Sequence, residues 1–289
     1  MVRRTVLFSP GDQPELLWKA PESGADVIVF DLEDAVAPGK KAAGRDAVRD
    51  VVTEIDPDAE LCVRVNRISE GGGDDVAAVF GGSEETGVDS VMLPKVASAG
   101  AVEELATVLA EHGRQLPVLA LLETASGVLH AEPVARADAT DAVLLGAEDL
   151  AADISATRTG EGTEILHARE QVVLAAGGAG VDAIDTLYTD YEDTEGLAED
   201  ARFGRDLGFD GKMVIHPGQV PVVNDAFTPD ETDVEWARTV LAARDDVEDE
   251  DDVGVFSVEG EMIDAPLIAQ AEDIVSRYQA ATGEPDGPS

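Results

Sequence analysis

Two carboxylates follow directly on apolar runs that predict buried strands. Glu123 follows the run Val118–Leu122, and Asp149 lies in GAEDL, just after the apolar run that begins at Ala142. The two runs are consecutive along the chain, and consecutive strands of a barrel are neighbours, so we expect both side chains at one edge. Two carboxylates, completed by waters and substrate oxygens, suit the octahedral shell of Mg²⁺ or Mn²⁺. We therefore predict a metal site formed by Glu123 and Asp149.

Other interpretations of the two carboxylates were weighed against this one. Zinc is disfavoured, because the chain has one cysteine and four histidines, with neither HExxH nor CxxC spacing. Either carboxylate alone is equally suited to cap the helix that follows it. Their equivalent positions on adjacent strands favour the metal.

Arg64 is the candidate cation of the same edge. It stands between Val63 and Val65 in a predicted strand, so it points into the barrel if its neighbours point outward. An interior arginine needs acidic partners, and Asp31 and Glu33 of the DLED motif are the expected ones. The guanidinium would then stabilise an oxyanion on a substrate. A purely structural ion pair is the alternative.

The lysines give a further indication. The chain has only five, and Lys19, Lys95 and Lys212 fall in or beside the motifs at strand ends. In a chain with so few lysines, this placement suggests cations retained for an anionic ligand, although a chance distribution of so few residues is the alternative.

Eight apolar, β-forming runs must position these groups. Helix-like stretches, such as 101 to 112 and 165 to 176, separate them, and this alternation predicts a closed (β/α)₈ TIM barrel with active-site residues at the carboxyl ends of its strands. An open doubly wound sheet is the competing architecture, but the first turn, SPGDQPE, lacks the glycine spacing of a dinucleotide site. The runs comprise residues 5–9, 26–34, 61–66, 90–96, 118–124, 142–149, 184–191 and 212–217.

The rhythm of strands and helices stops after about residue 225. We predict a catalytic barrel domain over residues 1–225 and a C-terminal helical extension, with a lid, over 226–289. The extension begins with a helix capped near Thr228 and continues through the acidic run 248–252, which is expected to be a solvated loop. A short segment then leads to a last helix from about 266 to 282 and a frayed tail.

The charge of the chain limits its partners. There are 61 acidic and 20 basic residues, a net charge of −41, so nucleic acid and anionic membranes are unsuitable partners. Such an acidic, lysine-poor composition is similar to that of proteins from salt-loving archaea, where molar salt shortens the Debye length to about 3 Å. No membrane span or signal peptide is expected, and the lone Cys62 favours a reducing cytoplasm.

Eight motifs together resemble the citrate lyase beta-subunit-like branch of the HpcH/HpaI aldolase superfamily. They run in order from about residue 4 to residue 275: LFSPGDQPELLWKA, DLEDAVAPGKK, VRVN, LPK, LLET, GAEDL, GKMVIHPGQV and GEMIDAP. The resemblance implies a Mg²⁺-dependent lyase for 3-hydroxyacyl-thioesters such as malyl-CoA, β-methylmalyl-CoA or citramalyl-CoA, with a 2-oxo acid such as glyoxylate as the second partner. It also implies a homotrimer or homohexamer with lids contributed across subunits.

The resemblance also implies roles for particular residues. Glu123 and Asp149 would bind the metal, Arg64 would contact the thioester or enolate oxygen, and Asp264 of MID would transfer a proton. The alternative for Asp264 is a cap of the final helix, which the DAP pattern also supports. Asp31, Glu33 and Asp34 would order metal-bound water and Arg64. Gln13 departs from the pattern, because the first loop usually has an arginine there, and this weakens the expected grip on a CoA phosphate. Substrate or CoA binding is assigned to Arg64, Lys19, Lys95, His216 and Pro10.

Two rival functions remain open at this point. One is hydrolysis of the thioester by the same metal and arginine, as in malyl-CoA thioesterases. The other is a non-catalytic subunit that binds acyl-CoA within a larger complex, which fits poorly with so many ionisable groups at the strand ends.

Overall fold

The computed structural model describes residues 2–82, 86–245, 255–258 and 260–284. Within them the chain forms two compact units, one of Arg3–Asp225 and one that holds the residues from Ala226 on together with the first two residues. Among the described residues, no helix is both long and apolar enough to cross a membrane.

The first unit is a closed barrel of eight parallel strands in sequence order. Each strand pairs with the next, and β1 also pairs with β8, where Thr5 lies opposite Lys212. The closed barrel is confirmed, and the open doubly wound sheet is excluded. The strands are β1 (Thr5–Pro10), β2 (Val27–Asp31), β3 (Glu60–Arg64), β4 (Ser90–Leu93), β5 (Val118–Leu122), β6 (Thr140–Leu145), β7 (Asp182–Asp185) and β8 (Gly211–Val214).

Helices surround the strands, which explains why the strand sequences are apolar on both faces. All residues of β2 and β5 are buried, since one face packs inside the barrel and the other against helices. The predicted helical stretches correspond to α4 and α8. The helices are α1 (Pro14–Lys19), α2 (Lys41–Val52), α3 (Gly72–Phe80), α4 (Ala99–Glu111), α5 (Ala125–Leu129), α6 (Ala131–Ala135), α7 (Ala147–Asp153), α8 (Leu166–Ala179), α9 (Thr194–Leu207) and α10 (Val220–Phe227).

The amino-terminal end of the barrel is closed by an ion cluster. The side chain of Arg3 donates from Nε to Glu60 Oε2 at 2.6 Å and from Nη1 to Asp182 Oδ2 at 2.9 Å, and it also bonds Asp141. These acids are the first or second residues of β3, β6 and β7, so one buried arginine joins three strands. An apolar cluster fills the barrel above it, including Val6, Leu119, Leu144 and Met213.

The second unit contains α11 (Glu231–Asp245), a hairpin of β9 (Val255–Val258) and β10 (Glu261–Asp264), and α12 (Ala265–Thr282). Ala237, Val240, Ile263 and Ala271 form its core. The helix predicted with a cap near Thr228 is present, but its cap lies two residues later: α11 begins at Glu231, and Asp230 Oδ1 accepts a hydrogen bond from Asp233 N at 2.9 Å. The acidic run 248–252 and the tail from 285 lie outside the described residues.

Candidate active site

Arg64 is held rigidly at the carboxyl end of the barrel. The register of β2 and β3 places Asp31 opposite Arg64, and Arg64 Nε and Nη2 donate to the two Asp31 oxygens at 2.8 and 2.5 Å. Nη1 lies 3.3 Å from Glu33 Oε2, and the Phe8 ring lies under the guanidinium at 5.0 Å. Burial alone would lower the pKa of Arg64, but the Asp31 carboxylate outweighs this effect. The pKa of Arg64 is therefore raised, and the guanidinium stays charged. The predicted pairing with Asp31 and Glu33 is therefore confirmed.

Lys95 connects the acids of three strands. Its Nζ bonds Glu33 and Asp34, the latter at 3.1 Å, and lies 4.0 Å from Asp149 Oδ2, while its backbone N donates to Glu123 Oε1 at 2.8 Å. Its φ of 52° lies in the left-handed region, which costs a non-glycine residue about 1–3 kcal/mol. The hydrogen bonds of its backbone N and of its Nζ hold Lys95 in this conformation.

The charges of this cluster shift one another's pKa. Burial raises the pKa of Glu33 above its ordinary value, against the lowering effect of Arg64. Burial alone would raise the pKa of Asp34, but the hydrogen bond from Lys95 outweighs this effect. The pKa of Asp34 is therefore lowered. Burial and the nearby Asp149 carboxylate raise the pKa of Glu123 to about 8, although Lys95 opposes the shift.

Glu123 and Asp149 line the same cavity. Glu123 is only 3% exposed, whereas the Asp149 side chain is 48% exposed in the first turn of α7. Neither carboxylate makes a capping hydrogen bond: Thr124 caps α5 through its side chain, and α7 begins after Gly146 without a side-chain cap. Asp149 nevertheless lies in the first turn of α7, where a negative charge suits the helix dipole, so this alternative role stays open for Asp149.

The donor set fits a divalent cation. A buried carboxylate that is destabilised by a neighbouring carboxylate gains from a cation placed between them, and carboxylate oxygens are the ligands that Mg²⁺ prefers. Among the residues that the structure describes, no group of three or more His, Cys, Asp or Glu side chains is placed so that it could hold a metal ion. A cation bound by Glu123 and Asp149 would take the rest of its shell from water and substrate. Glu123 Oε2 packs so close to Gly146 that a Cβ there would lie 2.7 Å from it.

The cavity has a volume of about 260 Å³. Its polar residues lie on or after β2, β3, β5 and β6, and its larger apolar residues lie on β1, β5 and β8 or follow β7 and β8. The polar lining is Asp31, Asp34, Arg64, Glu123, Glu148 and Asp149, and the larger apolar residues are Phe8, Leu121, Leu187, Met213 and Ile215.

Four of the predicted site residues belong neither to the cavity lining nor to the ion cluster of Arg64, Glu33 and Lys95. Pro10 ends β1, and its carbonyl accepts from Gln13 N at 3.1 Å. Lys19 is exposed on the last turn of α1. His216 is exposed, accepts from Gly218 N at 3.0 Å and stacks on Tyr191 at 5.2 Å. Their contacts to CoA stay predictions.

Asp264 is the fourth of these residues. It ends β10 in the second unit and holds the position before α12, where its side chain makes no capping hydrogen bond. Its catalytic role stays a prediction.

The suggestion that Lys212 serves an anionic ligand is wrong. Lys212 is fully buried inside β8, where Nζ contacts Asp185 Oδ2 at 3.1 Å and Asp200 Oδ2 at 2.5 Å. Arg169 bonds the same two aspartates. The sequence showed a lysine in a motif, but its partners come from distant parts of the chain.

Lys41 is a contributor to the site that the sequence interpretation missed. Its Nζ donates to the carbonyls of Leu32 and Glu33 at 2.7 and 2.6 Å and to Asn66 Oδ1 at 3.0 Å. It thereby fixes the backbone that carries Glu33. The motif DLEDAVAPGKK contains this lysine, and only the fold shows that the chain turns back to bring it there.

Comparison with known proteins identifies the family of the chain. The model of the family HpcH/HpaI aldolase/citrate lyase matches residues 4–217. The chain is 40% identical over 283 residues to a citrate lyase subunit beta-like protein of Mycobacterium tuberculosis, with 96% of each chain covered. It is 36% identical to the mitochondrial citramalyl-CoA lyase of Homo sapiens, with 95% of this chain and 85% of that one covered.

Two further similarities concern ligands and reactions. The chain is 34% identical to a (3S)-malyl-CoA thioesterase of Cereibacter sphaeroides, with 96% of this chain and 95% of that one covered. The crystal structure of the CitE protein from Mycobacterium tuberculosis, in complex with magnesium, acetoacetate and coenzyme A, is similar with a TM-score of 0.80 at 38% identity. That similarity covers 98% of this chain and 99% of the other.

Proposed function

The chain belongs to the HpcH/HpaI aldolase/citrate lyase family, and from this premise we propose that it is a Mg²⁺-dependent lyase acting on a 3-hydroxyacyl-CoA. Malyl-CoA, β-methylmalyl-CoA and citramalyl-CoA are the proposed substrates, and acyl-CoA and a 2-oxo acid such as glyoxylate are the products. The observation that carries the proposal is the cavity that Glu123 and Asp149 line together with Arg64. Two hydrogen bonds to Asp31 hold this arginine in place.

The reaction places negative charge on the thioester fragment and then returns a proton to its carbon. The 3-hydroxyl loses its proton, the bond between the second and third carbons breaks, and the bonding electrons form the enolate of the shorter thioester. That enolate then takes a proton on carbon. When bound by Glu123 and Asp149, Mg²⁺ would supply the Lewis acidity that polarises the oxygen of the 2-oxo acid.

Arg64 stabilises the enolate in this proposal. Asp31 engages Nε and one N–H of Nη2, which leaves other N–H groups of Nη1 and Nη2 for the thioester oxygen. Because Asp31 and Glu33 already fix the guanidinium, little reorganisation is needed as negative charge develops on the substrate. Lys95 and Lys41 hold Glu33 in place from its side chain and its backbone.

The test is an assay of purified protein with the three thioesters, in molar KCl and Mg²⁺. A lyase releases a 2-oxo acid and acyl-CoA, and both Glu123→Gln and removal of the metal by a chelator should abolish release. Full activity after chelation would contradict the metal assignment.

The thioesterase is the second candidate, favoured by the similarity to the malyl-CoA thioesterase. It would give malate and a free thiol in place of glyoxylate. A protein that turns over none of the thioesters would favour the third candidate, an acyl-CoA-binding subunit of a larger complex.

Asp264 is proposed as the acid that protonates the enolate, in the site of a neighbouring subunit of a homotrimer or homohexamer. Its place at the junction of β10 and α12, with no capping bond, leaves the carboxylate available for this role. Asp264→Ala and Glu123→Gln proteins should each be inactive, and co-expressed mixed oligomers should regain part of the activity. Mixed oligomers that form and stay inactive would refute the sharing between subunits, and full activity of Asp264→Ala would refute the catalytic role.

A further inference from the structure

The two proposed metal ligands are held in different ways. Glu123 Oε1 accepts a hydrogen bond from the backbone N of Lys95 at 2.8 Å. Asp149 Oδ2 lies 4.0 Å from Lys95 Nζ, which is beyond hydrogen-bond distance, and its side chain is 48% exposed. Asp149 is the third residue of α7. The backbone of the first turn of α7 therefore decides where the Asp149 carboxylate lies.

The start of α7 is attached to a strand on each side. Gly146 N donates to the carbonyl of Leu122, the last residue of β5, at 3.0 Å. Ala147 N donates to Thr186 Oγ1 at 3.1 Å, and Thr186 directly follows β7. The first N–H groups of a helix have no partner within the helix, and Gly146 has no side chain that could accept one. The hydroxyl of Thr186 supplies this acceptor from the neighbouring strand.

Thr186 is itself fixed by the buried ion cluster of β7 and β8. It is 1% exposed, and its carbonyl accepts a hydrogen bond from Lys212 Nζ at 2.6 Å. Lys212 is bound by Asp185 and Asp200, which Arg169 also bonds. Because these partners hold Lys212 from several directions, the backbone of Thr186 has one position. Its hydroxyl is thereby kept against the start of α7.

We propose that Thr186 is a positioning residue of the metal site: its hydroxyl fixes the first turn of α7 and thereby the carboxylate of Asp149. This inference rests on the proposed function, in which Asp149 binds the metal. Ala147 is fully buried, so without the hydroxyl its N–H would have no partner, and the turn would shift to find one. Groups that orient a metal ligand change metal affinity by about 10–100-fold when they are lost.

The test is a titration with Mn²⁺ alone, followed by electron paramagnetic resonance in molar KCl. Thr186→Val keeps the size of the side chain and removes the acceptor, so it should weaken Mn²⁺ binding by about 10–100-fold. Thr186→Ser keeps the hydroxyl and should bind Mn²⁺ nearly as tightly as the unaltered protein. Urea unfolding of each protein is measured alongside, because it reports stability independently of the metal.

Thr140→Val is the matched control. Thr140 begins β6, the strand that leads into α7, and lies at the opposite end of the barrel from the cavity. It is 7% exposed, and its Oγ1 donates to the carbonyl of Val134 at 2.7 Å. The substitution therefore removes a buried hydroxyl of the same kind. It should lower the urea midpoint, as Thr186→Val does, but leave Mn²⁺ affinity unchanged.

The outcomes distinguish this inference from the proposed function. Thr186→Val protein that binds Mn²⁺ as tightly as the unaltered protein would overturn the inference alone. Equal weakening in Thr140→Val or in Thr186→Ser would also overturn it, because the hydroxyl of Thr186 would then not be the cause. If Thr186→Val does not fold, Thr186→Ala decides by the same measurement, since it removes the acceptor without placing a methyl group against Ala147 N. Failure of the unaltered protein to bind Mn²⁺ would overturn the metal assignment of the proposed function, and the inference with it.

Discussion

Gly146 provides the sharpest test of the proposed metal site, because the three atoms nearest to an alanine Cβ there all belong to Glu123. The φ of Gly146 is −93°, a value open to any residue, so backbone strain does not enter. An added Cβ, however, would lie 2.6 Å from Glu123 Cβ and 2.7 Å from Glu123 Oε2. Non-bonded carbons pack at about 3.5–4.0 Å, so the ends of β5 and β6 must separate by on the order of 1 Å.

The expected effects follow from this displacement. Overpacking of this kind costs about 1–3 kcal/mol of folding free energy, which leaves the barrel folded. Misplacing a group that orients a metal ligand lowers metal affinity by about 10–100-fold, and an error of about 1 Å at a catalytic group lowers turnover by about 100-fold. Gly146→Ala should therefore bind Mn²⁺, used as a spectroscopic substitute for Mg²⁺, much more weakly while remaining folded.

The assay is a Mn²⁺ titration followed by electron paramagnetic resonance, with circular dichroism as the check on folding. Gly177→Ala is the matched control, because it lies in α8 and an added Cβ meets no atom within 4 Å. Alanine there should leave Mn²⁺ affinity unchanged and stabilise the helix by up to about 1 kcal/mol. If Gly146→Ala binds Mn²⁺ as tightly as the unaltered protein, then Glu123 is not a metal ligand in the arrangement described.

Three further predictions concern the arginine, the solvent and a buried ion cluster. Arg64→Lys keeps the charge beside Asp31 but not the two parallel bonds, so turnover should fall about 100-fold or more with a native circular dichroism spectrum, and near-normal turnover would make Arg64 structural. The net charge of −41 should make the melting temperature rise strongly from low salt to molar KCl, and a flat profile would contradict this. Burial raises the pKa of Asp200, but Lys212 and Arg169 outweigh it, so the net pKa is lowered and Asp200 stabilises the fold above its unfolded pKa of about 4. The free energy of unfolding in urea should therefore be lower for Asp200→Asn than for the unaltered protein near pH 7, and this difference should narrow as the pH falls below about 4. A difference that does not change with pH would exclude the titration of Asp200 as its cause.

The barrel and the identity of its strand ends were predictable from the sequence. Each strand belongs to a short, mostly apolar run, and a polar residue stands at the end of the strand or within a few residues after it, a pattern that depends only on neighbours along the chain. The position of Glu123 after β5 and the pairing of Arg64 with Asp31 followed from it. Both are local consequences of strand register in a parallel barrel.

Contacts between distant segments were not predictable in this way. Lys212 was interpreted as a cation for a ligand because its real partner could not be foreseen. That partner, Asp200, lies on α9, and no spacing rule connects the two residues. The close packing of Gly146 against Glu123 joins the ends of two strands, and glycine in GAEDL gives no sign of what it touches. The start of α11 was placed too early, since Thr228 and Asp230 are both acceptable caps and only the hydrogen bond to Asp233 decides.

The pairing of β1 with β8 has a consequence for how the protein acquires its activity during synthesis. Thr5 and Lys212 come from opposite ends of the barrel sequence, so the sheet can close only after nearly all of that sequence has left the ribosome. Such distant contacts require the entropy of a long loop to be lost before they form, and folding dominated by them is slow. The wall of the cavity that contains Phe8 and Met213 spans this last seam. Nascent chains should therefore have an incomplete substrate pocket until β8 is in place, and an edge of β1 that is open to other chains until that moment.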